Sequence, residues 1–153
     1  MSVLEKIKIA IPNADNEIIH FIEFPESQAY CACSFELETI KFHFRKAKIT
    51  PKKEGQFVVF WKRIPSGVIA PFEESDDFNF LIIEVESESD LGYFIFPKSA
   101  LIAKKIVSTH LKEGKRAFRV YPPWSIPKNK QGLVTQCWQR DHFVSEMSPK
   151  NFV

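Results

Sequence analysis

Between Tyr30 and Ile49 the apolar residues recur at every second position, a period that strands satisfy and helices do not. Cys31, Cys33, Phe35 and Leu37 form one face, opposite Ala32, Ser34, Glu36 and Glu38. After a turn near Thr39, Ile40, Phe42 and Phe44 form the apolar face, opposite Lys41, His43 and Arg45. The pattern predicts a half-buried antiparallel hairpin. Beyond Arg45 the alternation slips: Lys46 and Lys48 fall on the Phe44 face, while Ala47 and Ile49 join Arg45. A bulge or strong twist near Arg45–Lys46 is expected there.

A sheet needs more strands than one hairpin. Residues 56–63 and 78–86 carry apolar side chains on both faces, which places the second segment centrally. Residues 93–96 and 116–121 read as shorter strands, the latter closed by Pro122-Pro123. Helices are expected at three places. Ser2-Val3-Leu4-Glu5 is a capping box ahead of the Val3, Leu4, Ile7, Ile11 stripe, and Pro12 stops it. Pro97 opens a second helix running to about Val107, and residues 133–143 form a third. Residues 13–24 suit either a short helix or a strand. The expected fold is one α+β domain over residues 1–153, with a central mixed, mostly antiparallel sheet flanked by helices.

Charge is where composition becomes informative. The formal net charge is only +2, but it is unevenly laid out. Residues 41–63 hold eight Lys/Arg against Glu54 alone, and residues 98–130 hold nine against Glu113 alone. Between them, residues 73–90 hold eight Asp/Glu and no base. Such blocks point to a polyanionic partner. Fifteen Phe and three Trp imply an aromatic core, or some aromatic surface left for contact. The first residues carry Glu5, Lys6 and Lys8 inside their apolar pattern, unlike a secretory leader. No run approaches the roughly 18 apolar residues of a membrane span. Three cysteines, an odd number without framework spacing, fit a reducing compartment, so a cytoplasmic protein is expected.

Several of these segments resemble one family. They are residues 44–53 with Gly55-Gln56-Phe57-Val58 and Trp61-Lys62-Arg63; Gly92 to Lys98; Gly114 to Trp124; and Thr135-Gln136-Cys137-Trp138-Gln139. Four motifs in this order are similar to those of MepB-family proteins. The resemblance implies a small bacterial protein with a restriction-endonuclease-like fold that interacts with nucleic acid.

The residues support that expectation independently. Arg45, Lys48, Lys52, Lys53, Lys62, Lys98 and Arg119 are the candidate phosphate contacts, because clustered Lys and Arg neutralise a phosphate backbone. Tyr121 shares a strand face with Arg119, and Trp124 follows the stiff Pro-Pro pair, so both are candidates for base stacking. Gln136 and Gln139 would add polar contacts to the same rim. The competing reading makes these bases ordinary surface, paired with the 73–90 acids, and makes Trp124 core.

No cofactor is expected, and the reading is of a non-catalytic binder, of DNA in the first instance. A nuclease of the PD-(D/E)XK type would need Mg²⁺ held by carboxylates, for which Asp77, Glu84 and Glu86 are the candidates. Against it, Glu86 stands where that pattern requires Lys, and Lys46-Ala47-Lys48 has Lys where it requires an acid. The cysteines lack zinc-ligand spacing and read as strand residues. A third reading makes the acidic block 73–90 a docking surface for a basic protein partner.

Overall fold

The computed structural model describes residues 1–12 and 17–153. Its strands are β1 (Ile18–Glu23), β2 (Cys33–Leu37), β3 (Ile40–Lys46), β4 (Lys48–Ile49), β5 (Gln56–Val59), β6 (Lys62–Arg63), β7 (Ile69–Ala70), β8 (Phe80–Glu86), β9 (Leu91–Pro97), β10 (Ala117–Val120) and β11 (Phe143–Val144). The α-helices are α1 (Val3–Ala10), α2 (Lys98–Ala103) and α3 (Lys130–Gln139). The main sheet has the order β1-β2-β3-β8-β9-β11. Every pairing in it is antiparallel except β3 with β8, so the sheet is mixed. A smaller sheet, β10-β5-β4, and a ribbon of β6 with β7 complete the architecture.

The period of two divides the core cleanly. Phe42, Phe44, Ile82, Tyr93 and Ile95 point to one face, where Ile7 and Ile11 of the α1 segment cover them. Leu81, Ile83, Val85, Phe94 and Phe96 point to the other, against Val58 and Phe60, Phe118 and Val120, and Leu101 of α2. Trp138 of α3 packs on that second cluster. The expected central position of residues 78–86 is therefore what the structure shows, and helices flank the sheet.

The hairpin departs from expectation in one respect. Its β2–β3 register is regular, with Phe35 opposite Phe42, but β3 is not half-exposed. Parallel pairing with β8 makes β3 an interior strand, and Phe60, Phe72 and Phe78 arrive from outside the hairpin to cover its polar face. Near Arg45–Lys46 the chain changes sheet. The Ala47 N–H still donates to the Glu84 carbonyl at 3.0 Å, while Lys48 and Ile49 pair with β5.

Three boundaries differ for local reasons. Residues 56–63 form two short strands in different sheets, because β5 ends where Phe60 turns into the core. The second helix stops at Ala103; Lys105 adopts φ 62°, and Ile106 and Val107 bend inward to bond Leu101. The third begins at Lys130, where the Asn129 side chain accepts the Gly132 N–H at 2.7 Å. Ser2 caps α1 in the same manner. Residues 18–23 are strand, whereas residues 13–16 lie outside the described residues. No helix among the described residues is long and apolar enough to cross a membrane.

Candidate functional site

Among the described residues, strand β10 has β5 on one side and no strand on the other. An open edge leaves backbone donors and acceptors to be met some other way. Gln139, fully buried, meets one of each: its Oε1 accepts the Tyr121 N–H at 2.8 Å and its Nε2 donates to the Arg119 carbonyl at 2.9 Å. Three residues earlier, Gln136 donates to the carbonyls of Pro122 (3.0 Å) and Ser125 (2.8 Å). The buried positions of α3 are thus Gly132, Gln136 and Gln139. The two glutamines fix the angle at which α3 stands beside β10.

The β4–β5 turn is fixed from the same strand. Arg119 Nη2 donates to Thr50 Oγ1 at 2.7 Å, and Nη1 donates to the Glu54 carbonyl at 3.1 Å. The guanidinium carbon lies 5.8 Å from the Phe57 ring centroid. Tyr121 closes over Gly55, where φ is +77° and an added Cβ would come within 2.7 Å of the Tyr121 ring. Glycine is required there on both counts.

Between this turn, β10 and α3 lies a cleft of about 560 Å³. Its cationic lining is Lys52, Lys53, Lys104, Lys115, Lys128 and Arg119, against Glu54 alone. The lysines come from four separate segments. Lys128 lies 3.9 Å from Glu54, whereas Lys52, Lys53, Lys104 and Lys115 have no carboxylate partner among the described residues. Tyr121 and Trp138 also line the cleft. A smaller groove of about 350 Å³ shares Lys52, Lys53 and Lys128 with it and is bordered by Trp124.

The residues singled out from the sequence separate in the structure. Lys52, Lys53, Arg119, Tyr121 and Gln139 line the cleft. Trp124 stands at the neighbouring groove with its ring against Phe143. Gln136 is buried beneath α3, where it positions the wall without facing the cleft. Lys48 is exposed, 4.7 Å from the Tyr30 ring centroid. Arg45, Lys62 and Lys98 lie elsewhere. Lys62 meets Glu73 at 2.9 Å and Asp76 at 2.8 Å. Burial pulls its pKa down, but the hydrogen bonds it donates to Asp76 and Glu73 outweigh it and raise the value. Lys98 donates to the Asp76 carbonyl and lies 5.2 Å from the Phe78 ring centroid.

Arg45 is only 2% exposed. Its guanidinium carbon lies 5.6 Å from the Phe24 centroid and 5.3 Å from that of Phe60. Nη1 donates to the Phe44 carbonyl, and Nε has no partner among the described residues. Burial lowers its pKa to about 10. Beside it, His43 has an unpartnered Nδ1, and burial together with the Arg45 charge pushes its pKa down to about 3. Cys33 is buried on the opposite face of the hairpin and its thiol is pushed up to about 12 by burial.

The carboxylates of the nuclease alternative are not gathered together. Asp77 pairs with Lys41 ahead of β8, while Glu84 and Glu86 sit at the far end of that strand around Lys46, at 3.8 and 2.6 Å. At about 3.3 Å per residue, most of a seven-residue strand separates them. Burial raises the pKa of Glu84, partly offset by Lys6 and Lys46. Among the described residues no three His, Cys, Asp or Glu side chains are grouped as a metal site.

Sequence reasoning missed Lys104, Lys115, Lys128 and Trp138. All four lie inside segments already marked as basic or as carrying a motif. What distinguishes them is convergence on one cleft, which depends on contacts distant in sequence.

The fold and site define an α+β protein with a mixed central sheet and a lysine-lined cleft beside its smaller sheet. The sequence profile of the MepB-like family matches residues 25–145, and the chain belongs to that family. Its structure is similar to the crystal structure of MepB, with a TM-score of 0.82, 34% identity and 93% of each chain covered. No curated protein matches the chain.

Proposed function

We propose that this protein binds nucleic acid, DNA in the first instance, through the cleft between the β4–β5 turn, β10 and α3, and that it does so without catalysis. The observation carrying this reading is the set of four cleft lysines without carboxylate partners among the described residues. Unneutralised cations gathered from separate segments at one concave site attract a polyphosphate and release its counterions. Aromatic side chains among them suit a nucleobase. Lys52, Lys53, Lys104, Lys115 and Lys128 meet phosphates, and Arg119, Gln136 and Gln139 hold the walls. A cytoplasmic location accords with such a partner.

Fluorescence anisotropy with labelled DNA from about 20 to 200 mM salt tests the reading. The expected result is binding whose logarithmic affinity falls linearly with the logarithm of salt concentration. No binding at the lowest salt, by a chain that is folded by circular dichroism, overturns it. Mg²⁺- or Mn²⁺-dependent loss of the labelled DNA would overturn the non-catalytic part alone.

A further inference from the structure

Helix α3 is inverted. A helix lying against a sheet normally buries its apolar stripe and turns its polar side to water. Here Gly132, Gln136 and Gln139 are buried, while Leu133 is 54% exposed, Val134 is 59% exposed and Cys137 is exposed too. Neither Leu133 nor Val134 joins either core cluster among the described residues. Lys130 opens the same stripe, and Asp141 closes it from the 3₁₀ turn that continues the helix. At about 100° per residue, all five side chains leave the helix within about 100° of arc. The cleft-lining Gln131, Thr135 and Trp138 occupy the neighbouring face.

The charges at the two ends of the stripe are placed against their own helix. Lys130 stands at the positive N-terminus of α3 and Asp141 beyond its negative C-terminus, the reverse of what the helix dipole favours. Both are exposed, and neither has an ion-pair partner among the described residues. About 16 Å of helix separates them, too far for the two to meet within one chain. A second α3 running antiparallel removes both mismatches. Each lysine then meets an aspartate at the negative end of the opposite helix, and each aspartate a lysine at the positive end.

We infer that this stripe is a self-complementary seam through which two copies of the chain pair, α3 against α3, antiparallel. Lys130, Val134, Cys137 and Asp141 are spaced by four, three and four residues, the spacing of a two-helix seam. About a two-fold axis midway between Thr135 and Gln136, Val134 faces Cys137 of the second copy and Lys130 faces its Asp141, each contact occurring twice. A parallel pair would set lysine on lysine and aspartate on aspartate. The formal net charge of +2 per chain opposes pairing only weakly. Three helical turns cover less than the about 800 Å² per partner of a standard interface, so the pair is weak, with Kd on the order of 100 µM. Because the axis crosses both helices at right angles, the two clefts open on the same side of the pair.

Sedimentation equilibrium of the full chain, without DNA, from about 5 to 500 µM tests the seam. The expected result is a monomer–dimer equilibrium half complete near 100 µM. Val134→Lys, at an exposed position, is expected to weaken pairing at least tenfold with an unchanged circular dichroism spectrum. Lys130→Glu and Asp141→Lys are each expected to weaken it about fivefold, and together to restore it to within twofold of the parent. Such rescue requires the two positions to meet between chains. A monomer across the whole range overturns the inference, and so does a dimer that survives Val134→Lys. Pairing that the double exchange fails to restore overturns the antiparallel arrangement. A chain that stays monomeric but loses DNA affinity in Val134→Lys assigns the stripe to the nucleic acid instead. None of these sedimentation results bears on the nucleic-acid reading of the cleft, which is measured separately.

Discussion

Two sets of basic residues occupy this chain, and they have opposite surroundings. Lys41 and Lys46 along β3 of the main sheet, and Lys62 in the β6–β7 ribbon, are each held by acids of residues 73–90, and Arg45 is enclosed in the core. Hydrogen bonds donated to Asp77 and Glu86 raise the pKa of Lys41 and Lys46 respectively. Around the cleft, Lys52, Lys53, Lys104 and Lys115 have no such partner among the described residues. The first set partly neutralises the acidic block by engaging Glu73, Asp76, Asp77, Glu84 and Glu86, which leaves less of that block free for a basic protein partner. The second keeps its charge available. Density of Lys and Arg in a sequence is therefore a poor measure of the charge a ligand meets.

The comparison breaks most directly by removing one set at a time. Replacing Lys52, Lys53, Lys104 and Lys115 together with Gln is expected to weaken single-stranded DNA binding roughly 1,000-fold and to flatten its salt slope by about 3, at about 0.7 per phosphate contact. Replacing Lys41, Lys46 and Lys62 is expected to leave the slope within about 0.5 of its starting value. Equal losses from the two sets would sink the distinction.

Next in size is the support of the cleft wall. Gln139→Leu leaves the Arg119 carbonyl and the Tyr121 N–H without their partner, and is expected to cost roughly 2–3 kcal/mol. For a domain of this length that lowers Tm by about 4–12 °C, which differential scanning calorimetry reads directly. An unchanged Tm would mean that water replaces the glutamine without loss.

The inward-turned bases of β3 sharpen the contrast through pH and stability. His43 has an ordinary pKa near 6.5 and a folded value near 3. As pH falls below about 6.5 the unfolded chain takes up the proton first, so stability declines until the folded value is reached. The slope from this one group approaches about 1.4 kcal/mol per pH unit. Urea titrations from pH 7 to 4 are expected to show a flatter decline in His43→Leu than in the parent, and parallel curves would refute the assignment. The smallest effect is expected for Arg45→Met. Because the buried guanidinium has no acid partner among the described residues, apolar replacement is expected to keep stability within about 1 kcal/mol of the parent, or above it. DNA affinity is expected to stay within twofold. A tenfold loss of affinity with unchanged stability would return Arg45 to the binding surface.

What the sequence disclosed follows from how local each signal is. The Phe35 and Phe42 alternation, the two-faced β8 and the Ser2 cap depend on neighbours a few residues away, and they were legible. The burial of Arg45 was not. In Lys41-Phe42-His43-Phe44-Arg45 the polar positions read as solvated, but His43 is covered by Phe60, Phe72 and Phe78 and Arg45 by Phe24 and Phe60, from separate segments. The same limit applies to the site. Arg119 and Tyr121 were recognisable because a strand puts i and i+2 on one face. Lys104, Lys115 and Trp138 belong with them only through the docking of α2 and α3. The pairing of Lys46 with Glu84 likewise needs the parallel β3–β8 register.

The edge of β10 carries one more consequence. Natural sheets commonly protect an open edge with a covering element, charge or proline. Here the guard is mainly the amide of Gln139. A guard of one residue can be lost by one mutation, and the freed edge of β10 is then a template for a strand from another molecule. Loss of Gln139 therefore acts on colloidal behaviour as well as folding, with self-association through β10 as its characteristic failure.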